Sequence, residues 1–210
     1  MIDLASERKD YKLASLDEKS VGNDPITQFK KWLDEAVLAK VPEPTAMNLA
    51  TIDEDGYPNG RIVLLKGLDI GFIFYTNYES AKGTQLRINA KAALTFHWVE
   101  LERQVRVIGD VEKVNSEMSD HYFHSRPFDS QIAAAASPQS QVVNGREELE
   151  RCFERLKQEY PETIERPSQW GGYRIIPKTI EFWQGRSNRL HDRILFTRNG
   201  SMWSLKRLAP

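Results

Sequence analysis

The chain has 210 residues and a formal net charge of −1, with 40% hydrophobic and 28% charged residues. This length suits one large domain, and the near-zero charge gives no basic field that would attract nucleic acid or an anionic membrane. The single cysteine, Cys152, excludes an intramolecular disulfide and is typical of a reducing compartment. Because no apolar run approaches the roughly 20 residues of a membrane span and no apolar signal core opens the chain, we expect a cytoplasmic protein.

The first 22 residues are polar and carry little periodicity. We therefore predict an N-terminal arm over residues 1–22, either mobile or a short helix, followed by a single domain over residues 23–210. Arg8, Lys9 and Tyr11 are the notable side chains of this arm.

A helix is predicted to open the domain. Asp24 is a favourable N-cap, and Pro25 takes the first helical position, where a missing N–H is tolerated. Apolar residues recur at helical spacing through Lys40, and the prolines at 42 and 44 end the pattern. We assign this helix a structural role.

Short strand patterns then follow between tight turns. They cover residues 46–52, 60–66, 71–76, 92–99 and 103–114. Such strands predict an antiparallel barrel or sandwich, so the fold class is mainly β with flanking helices. Arg61 and Lys66 stand at the two ends of the second strand, where they reach either water or ligand phosphates. Their odd separation puts them on opposite faces, so a shared ligand group would require a bulge, and otherwise they hold different groups.

Two further positions suggest ligand contacts. A strand leads into a helix predicted over residues 79–90, and Ser80 and Lys82 at this junction are suited to a phosphate. No glycine-rich loop accompanies them, so the pattern is not specific. The amide of Gln104 could bond a flavin-type or pyrimidine-type edge, or it could cap the sheet.

A helix predicted over residues 116–125 carries a second candidate phosphate grip. Tyr122 and Arg126 are one turn apart and can meet on one face, and Ser130 follows a proline break. Hydroxyls and a guanidinium suit a phosphate, to which arginine bonds through two nitrogens. His121 and His124 lack a third ligand, so no metal site is predicted.

The C-terminal part is predicted to hold an amphipathic helix over residues 146–160, with Cys152 buried on its apolar stripe. Strands are predicted over 173–176 and 179–184, and the Asn199-Gly200 pair indicates a hairpin. If residues 189–193 are extended, Arg189, His191 and Arg193 share one face. Two guanidiniums beside an imidazole, which titrates near neutrality, suggest a site for a planar, phosphorylated ligand.

Several multi-residue blocks carry a resemblance that extends from about residue 8 to the C-terminus. They are residues 61–66, 74–77, 101–105, 122–127, 129–132, 170–172, 182–185, 189–193 and 207–210. In this order they resemble the pyridoxine (pyridoxamine) 5′-phosphate oxidase family. The resemblance implies an FMN-binding split β-barrel that forms a homodimer with its FMN sites at the subunit interface.

The resemblance also implies residue roles. FMN would be bound by Arg61, Ile62, Val63, Leu64, Leu65, Lys66, Tyr75, Thr76, Lys82, Gln104, Gln139, Ser140, Trp183 and Arg193, some of them from the partner subunit. The substrate would be bound by Arg8, Tyr11, Lys66, Tyr122, Arg126, Ser130, Arg189 and His191. Among these, Lys66, Tyr122, Arg126 and Ser130 would grip the substrate phosphate. Arg189 and His191 would be the catalytic residues at the reacting carbon.

The implied activity is oxidation of pyridoxine 5′-phosphate and pyridoxamine 5′-phosphate to pyridoxal 5′-phosphate. A hydride would pass to flavin N5, dioxygen would be the acceptor, and hydrogen peroxide would be released, with ammonia from the amine. Neither a metal nor a nucleic-acid or membrane partner is expected.

One departure from the family concerns the cofactor. Ala81 stands where the family often has an arginine before Lys82, so we predict weaker FMN retention unless another residue compensates. Residues 15–21 also differ from the Gly- and Arg-rich version of some members. Two alternatives remain open: another split-barrel flavoprotein, such as a flavin reductase, without the substrate-phosphate grip, and a non-enzymatic carrier of pyridoxal phosphate without a flavin.

Overall fold

The computed structural model describes Asp3 and residues 9–210, so the prediction for Arg8 lies outside the described residues. The helices are α1 (Pro25–Leu38), α2 (Ala81–Ile88), α3 (Ser116–Ser125), α4 (Phe128–Ala136) and α5 (Arg146–Glu159). The strands are β1 (Ala46–Ile52), β2 (Pro58–Leu64), β3 (Gly67–Leu68), β4 (Phe72–Asn77), β5 (Lys91–Trp98), β6 (Arg103–Lys113), β7 (Trp170–Gln184), β8 (Asp192–Asn199) and β9 (Met202–Arg207).

Across the described residues, nine strands form one antiparallel sheet in the order β2-β1-β5-β6-β7-β4-β3, with β8 pairing with β7 and β9 with β8. Strands β2 and β3 stand at opposite ends of this order, yet only Leu65 and Lys66 join them. The sheet must therefore curl back on itself. The Leu65 N–H donates to Thr45 O and the Lys66 N–H to Ile73 O, which ties the two ends together. The result is a half-barrel with flanking helices, and of the two predicted architectures the barrel is confirmed.

The half-barrel is filled by aromatic side chains. Phe29 of α1 packs against Phe72 and Phe96 at ring-centroid distances of 4.9 and 4.8 Å. All three are fully buried, so α1 closes the open face of the sheet and has the predicted structural role. A smaller core unites α3 and α4 with the start of β7 through Phe123, Ile132, Ile164 and Trp170.

Local sequence signals fix several elements correctly. Asp24 accepts from the N–H groups of Ile26 and Thr27 at the start of α1, as its N-cap position predicts. The strand over 46–52 and the helix over 116–125 have the predicted bounds. The second strand is shifted, because it ends at Leu64 and the chain then turns into the short strand β3, which was not predicted.

The two strands predicted over 173–176 and 179–184 are one continuous strand, β7, of 15 residues. Pro177 lies between the two predicted strands and has no N–H for a ladder bond. In the structure, the β6–β7 register shifts between Ile108 and Gly109, and Gly109 faces Pro177. These consecutive β6 residues face Thr179 and Pro177, so Lys178 is the extra residue of a bulge in β7, and this bulge accommodates the proline without interrupting the strand.

Residues 189–193 are not all extended, so the predicted common face is wrong. Ser187–Arg189 form a short 3₁₀ turn in which Asn188 and Arg189 have left-handed φ values of 58° and 61°. Strand β8 begins only at Asp192. The Leu190 N–H closes the turn by donating to Ser187 O, which rotates Arg189 away from the β8 pattern.

Residues 9–22 do not form a mobile arm or a helix. Leu16 and Val21 are 4% and 3% exposed and belong to the main core. The Leu16 N–H donates to Asp192 Oδ2, and Arg207 donates to Leu16 O. The polar composition concealed this docking, because the acceptors lie far away in the sequence. We call residues 9–22 the N-terminal segment.

The apolar stripe of helix α5 is only partly buried. None of its residues is fully buried, and Cys152 is half-buried rather than buried as predicted. Within the described part of the chain, no helix is both long and apolar enough to cross a membrane.

Candidate active site

A cavity of about 520 Å³ opens where the half-barrel meets α3 and α4. Its walls come from the ends of β2 and β4, the start of α2, the end of α3, α4, the following loop, and the first residue of β7. The lining residues are Ile62, Val63, Leu64, Lys66, Tyr75, Thr76, Asn77, Lys82, Tyr122, Arg126, Ala133, Ala134, Ser137, Gln139 and Trp170. The structure thus brings together residues that the sequence assigned to the cofactor and to the substrate phosphate.

The cavity is cationic, and the described residues contribute no carboxylate to its lining. Lys66, Lys82 and Arg126 line it, and among the described residues none of them forms an ion pair. Elsewhere arginines are matched with acids, as where Arg174 contacts both Asp69 and Glu112. Unmatched cations around a concave surface suit an anionic ligand.

One end of the cavity lies at the N-terminus of α2. The Lys82 ammonium donates to Thr76 Oγ1 at 3.1 Å, Ser80 Oγ at 3.3 Å and Gln139 Oε1 at 3.1 Å. Burial lowers the pKa of Lys82, and the nearby charge of Arg61 lowers it further. All three partners are neutral, so the positive charge and the helix N-terminus both remain available to a phosphate.

Arg61 lies behind this end rather than in the lining. Its guanidinium donates to Leu49 O at 3.3 Å, to Gln85 Oε1 at 3.0 Å and to Thr51 Oγ1. Burial lowers the pKa of Arg61. These neutral acceptors fix the guanidinium without cancelling its charge, so Arg61 contributes to the positive potential at the α2 end.

The other end of the cavity is aromatic. Tyr75 stacks on Tyr122 at 3.9 Å and on Trp170 at 5.7 Å. The Arg126 guanidinium lies 4.8 Å from the centroid of the Trp170 ring, and its Nη1 is buried and has no hydrogen-bond partner among the described residues. Burial lowers the pKa of Arg126. A buried charged donor without a partner is costly, so Arg126 is poised for an anionic acceptor.

Leu65, Ser130 and Ser140 are further predicted residues that do not line the cavity. Leu65 is 5% exposed and belongs to the main core. Ser130 is half-buried in the first turn of α4, and Ser140 is exposed with a left-handed φ of 69°. Their roles as ligand contacts stay predictions.

A second cluster lies at the far end of β7. Trp183 and His191 have ring centroids 4.7 Å apart, and Tyr11 packs edge-on against them at 5.7 and 5.8 Å. Gln104 pairs with Trp183 across β6 and β7. His191 Nδ1 accepts from the Arg186 N–H at 3.1 Å. We call Tyr11, Trp183 and His191 the aromatic cluster.

The remaining predicted residues surround this cluster. Arg193 donates hydrogen bonds to Glu181 Oε1 at 2.7 Å and to Ala209 O at 2.9 Å, and the hydrogen bond to Glu181 raises the pKa of Arg193. Arg189 is exposed on its turn. None of the aromatic cluster, Gln104, Arg189 or Arg193 lines the cavity. The described part of one chain therefore presents two groups of predicted site residues, not one.

Sequence reasoning missed several residues of the site. Trp170 lay in a block that carried the resemblance but was given no role, and Thr51 and Gln85 gave no local signal. Thr51 and Gln85 matter because they accept hydrogen bonds from Arg61 across β1, β2 and α2, and a single sequence does not display such contacts. Glu102, which contacts the N-terminal segment, was missed for the same reason.

The residues present fit FMN. The cavity offers apolar walls from β2 and α4, neutral acceptors beside Lys82, and unmatched cations at both ends. A planar ring system with a phosphate requires these features.

The curled sheet, its flanking helices and this cavity define the class of FMN-binding split-barrel proteins. Residues 33–160 match the family described as Pyridoxamine 5'-phosphate oxidase, and residues 170–210 match the Pyridoxine 5'-phosphate oxidase C-terminal dimerisation region. The chain belongs to the pyridoxamine 5′-phosphate oxidase family, and this membership supports FMN as the cofactor.

Similar proteins span the whole chain. The pyridoxine/pyridoxamine 5′-phosphate oxidase of Cupriavidus necator is 55% identical over 212 residues and covers 100% of both chains. That of Legionella pneumophila (strain Lens) is 55% identical over 209 residues, covering 99% of this chain and 97% of its own.

Two solved structures are also similar. PhzG from Burkholderia lata, in complex with tetrahydrophenazine-1-carboxylic acid, has a TM-score of 0.90 and 30% identity, covering 96% of this chain and 100% of that chain. A pyridoxamine 5'-phosphate oxidase-related, FMN binding protein from Nostoc punctiforme has a TM-score of 0.75 and 18% identity, covering 90% and 100%. The second likeness supports the fold alone.

Proposed function

We propose that the protein is an FMN-dependent oxidase that converts pyridoxine 5′-phosphate and pyridoxamine 5′-phosphate to pyridoxal 5′-phosphate. The observation that carries this proposal is the cationic cavity, above all the buried Nη1 of Arg126, which has no partner in the part of the chain that the structure describes. A phosphorylated cofactor and a phosphorylated substrate together bring close to four negative charges at neutral pH. Separate cations at the two ends of the cavity would pair with these charges.

The α2 end is assigned to the FMN phosphate. Lys82, Thr76 and the helix N-terminus present donors there, and Arg61 adds positive potential from behind. The Arg126 end is assigned to the substrate phosphate. Arg126, Tyr122 and Lys66 would grip it, and Ser130 is retained as a predicted contact.

When bound, FMN would supply the redox chemistry, namely acceptance of a hydride from the exocyclic carbon of the substrate and transfer of the electrons to dioxygen, which would be reduced to hydrogen peroxide. The alcohol gives the aldehyde directly, and the amine gives an imine that water hydrolyses with release of ammonia. The protein would hold the two rings at reacting distance through the phosphate contacts at the outer ends of the ligands.

His191 and Arg189 are the proposed catalytic residues. His191 Nδ1 accepts a hydrogen bond from the Arg186 N–H, so the neutral imidazole carries its proton on Nε2. That tautomer orients a substrate oxygen or nitrogen by donating to it. Arg189 stands on the adjacent exposed turn and would orient the same atom, while Arg193 would stabilise negative charge on the cofactor.

We further propose a homodimer in which the aromatic cluster and Arg189 of one subunit complete the cavity of the other. The match of residues 170–210 to a dimerisation region supports this arrangement, as does the separation of the two groups within one chain. A cytoplasmic location is proposed from the single cysteine, which suits a reducing compartment.

The test is an aerobic assay of the purified protein with pyridoxine 5′-phosphate and pyridoxamine 5′-phosphate, with and without added FMN. We expect a yellow protein with flavin bands, formation of pyridoxal 5′-phosphate and an equivalent amount of hydrogen peroxide. A yellow protein without substrate-dependent peroxide would favour another split-barrel flavoprotein. Absorbance from bound pyridoxal phosphate without flavin bands would favour a carrier.

A second candidate is an oxidase of phenazine-type substrates, which the similarity to PhzG favours. Tetrahydrophenazine-1-carboxylic acid has a carboxylate and no phosphate, so it would leave part of the cationic cavity unmatched. The same assay with a reduced phenazine carboxylate decides between them. A kcat/KM higher for that compound than for pyridoxine 5′-phosphate would reverse our assignment.

A further inference from the structure

Glu102 is a buried acid whose partners are mainly backbone N–H groups. It ends the 3₁₀ turn at Val99–Leu101 with a left-handed φ of 54° and is only 8% exposed. Its Oε2 accepts from the Lys12 N–H at 2.9 Å and the Leu13 N–H at 3.0 Å. The ammonium of Lys9 lies 3.9 Å from Oε1 but is largely exposed, so this ion pair is weak.

These two backbone bonds immediately follow Tyr11. The N-terminal segment has no regular secondary structure around them, so the segment offers no acceptors of its own for the two N–H groups. Glu102 supplies both acceptors from one carboxylate, and hydrogen bonds to a charged acceptor are stronger than neutral ones. Glu102 is therefore the main attachment of the segment on the side of Tyr11.

The attachment determines where the Tyr11 ring lies. Ser187 Oγ donates to Tyr11 O at 3.3 Å, and the ring lies against Trp183 and His191. Gly185 leaves room for it, because a Cβ at this position would lie 2.7 Å from Tyr11 Cγ. The Gly185 N–H donates to Glu102 O at 2.7 Å, so the backbone of Glu102 is fixed to the residue that follows β7.

We propose that Glu102 is a positioning residue that fastens the N-terminal segment so that Tyr11 covers Trp183 and His191. This inference rests on the proposed function for its catalytic consequence, because His191 is the proposed catalytic residue that Tyr11 covers. The fastening itself is a property of the protein without ligands. The two parts are measured separately.

The fastening is tested by hydrogen exchange of the Lys12 and Leu13 amides in Glu102→Gln, which keeps the shape of the side chain and removes its charge. Glu100→Gln is the matched control, because Glu100 is in the same turn and exposed, and among the described residues it has no bond to the segment. We expect exchange about tenfold faster in Glu102→Gln and unchanged in the control. A melting temperature equal to that of the wild type confirms that Glu102→Gln is folded.

The catalytic consequence is tested with pyridoxine 5′-phosphate in the same variants. Loosening the segment lowers the population in which Tyr11 covers the cluster, so we expect KM to rise about tenfold with kcat within about twofold. Glu102→Asp, which keeps the charge on a shorter side chain, should restore part of the loss in both measurements.

Each result decides one part. Unchanged exchange at Lys12 and Leu13 in folded Glu102→Gln overturns the fastening, whatever the kinetics. Faster exchange with unchanged KM overturns the positioning role in the reaction. If the wild type oxidises neither phosphorylated substrate, the proposed function fails, and exchange alone still supports or overturns the fastening.

Discussion

Arg126 has a buried guanidinium nitrogen that finds no partner within residues 9–210, and it lies against an aromatic surface, an arrangement that favours ligand binding over stability. A buried unsatisfied donor costs about 1–3 kcal/mol, and more when it is charged. Folding alone gives no reason to keep it. Residues with this imbalance are expected where a ligand supplies the missing partner.

Arg126→Met tests this interpretation. Methionine keeps contact with Trp170 and removes the unpaired donor, so we expect the melting temperature to stay equal or to rise by about 2–4 °C. The KM for pyridoxine 5′-phosphate should rise about 10- to 100-fold because a charge-assisted phosphate contact is lost, with kcat within about twofold.

Arg166→Met is the matched control for this change. Arg166 donates to Trp170 O and to Asp120 Oδ1, so it is a satisfied arginine bonded to the backbone of the same tryptophan. Its loss should lower the melting temperature and leave KM unchanged. A lower melting temperature for Arg126→Met with an unchanged KM would make Arg126 structural.

Ala81 stands where the resemblance led us to expect an arginine, and it is exposed at the start of α2 next to Lys82. An added guanidinium there would reach an anion at the helix N-terminus. A charge-assisted hydrogen bond contributes about 1.5–3 kcal/mol, against about 0.3–1 kcal/mol for placing a cation at that end of the helix dipole. The hydrogen bond is the larger effect.

We therefore expect Ala81→Arg to lower the Kd for FMN by about tenfold, as measured by quenching of flavin fluorescence on titration into apoprotein. Ala90→Arg, exposed beyond the end of α2, adds the same charge away from the phosphate end and should leave the Kd unchanged. Equal affinities for Ala81→Arg and the wild type would refute the predicted weak retention of FMN.

At the scale of elements, the N-terminal segment has a second attachment besides Glu102. Arg207 of β9 donates to both carboxylate oxygens of Glu18 at 2.8 Å and to Asp192 Oδ1 at 2.8 Å. Hydrogen bonds from Arg207 lower the pKa of Glu18 from 4.5 to about 2. The segment is thus held to the last strand by an acid that stays charged in the folded protein at low pH.

This shift predicts a pH dependence. Because the folded pKa is below the unfolded value, the contribution of Glu18 is complete above pH 4.5 and is lost as pH falls through about 2. The stability difference between wild type and Glu18→Gln, from chemical denaturation, should therefore shrink on acidification across that window. Glu54→Gln, in an exposed turn, serves as the control. A difference independent of pH would contradict the pairing with Arg207.

Elements defined by local signals were predictable, and elements defined by distant partners were not. Asp24 and Pro25 mark α1, and the Asn199-Gly200 hairpin joins β8 to β9 as predicted, with Gly200 at a φ of 63°. The continuity of β7 through Pro177 depends on a bulge at Lys178, opposite β6 residues that lie some 70 residues earlier in the chain. The turn at Asn188 and Arg189 replaced a predicted strand because its closing bonds do not appear as periodicity.

At the scale of the whole molecule, the site was predictable as a set of residues but not as an arrangement. The blocks that resemble the family identified Lys66, Lys82 and Arg126, and these line one cavity. Trp183 and His191 were expected to meet the same ligands, but they lie with Tyr11 at the other end of β7. Which groups meet across two subunits is decided by assembly, and no spacing within one chain encodes it.

A subunit-mixing experiment tests whether two chains complete each site. Co-expression of Arg126→Met and His191→Ala chains should give mixed dimers with one intact site each. When assembly is random, we therefore expect about a quarter of wild-type activity. The activity is measured with pyridoxine 5′-phosphate well below the KM of Arg126→Met, where each parent variant alone is nearly inactive.

Co-expression of Arg126→Met with Lys66→Ala is the control for mixing, because both changes lie in the cavity of their own chain. This pair of variants should recover no activity. Absence of recovery in the first pair as well, with mixed dimers confirmed by mass spectrometry, would mean that each cavity uses its own His191.

The length of β7 has a consequence for how the protein behaves on dilution. Its 15 residues carry Trp170 at the cavity and Trp183 at the aromatic cluster, which puts roughly 40 Å of extended chain between them. A separated subunit would therefore hold two half-sites too far apart for one pair of stacked rings. Specific activity at saturating FMN should then fall once the protein is diluted below the dissociation constant of its dimer, and it should return on reconcentration at a rate proportional to the square of the subunit concentration.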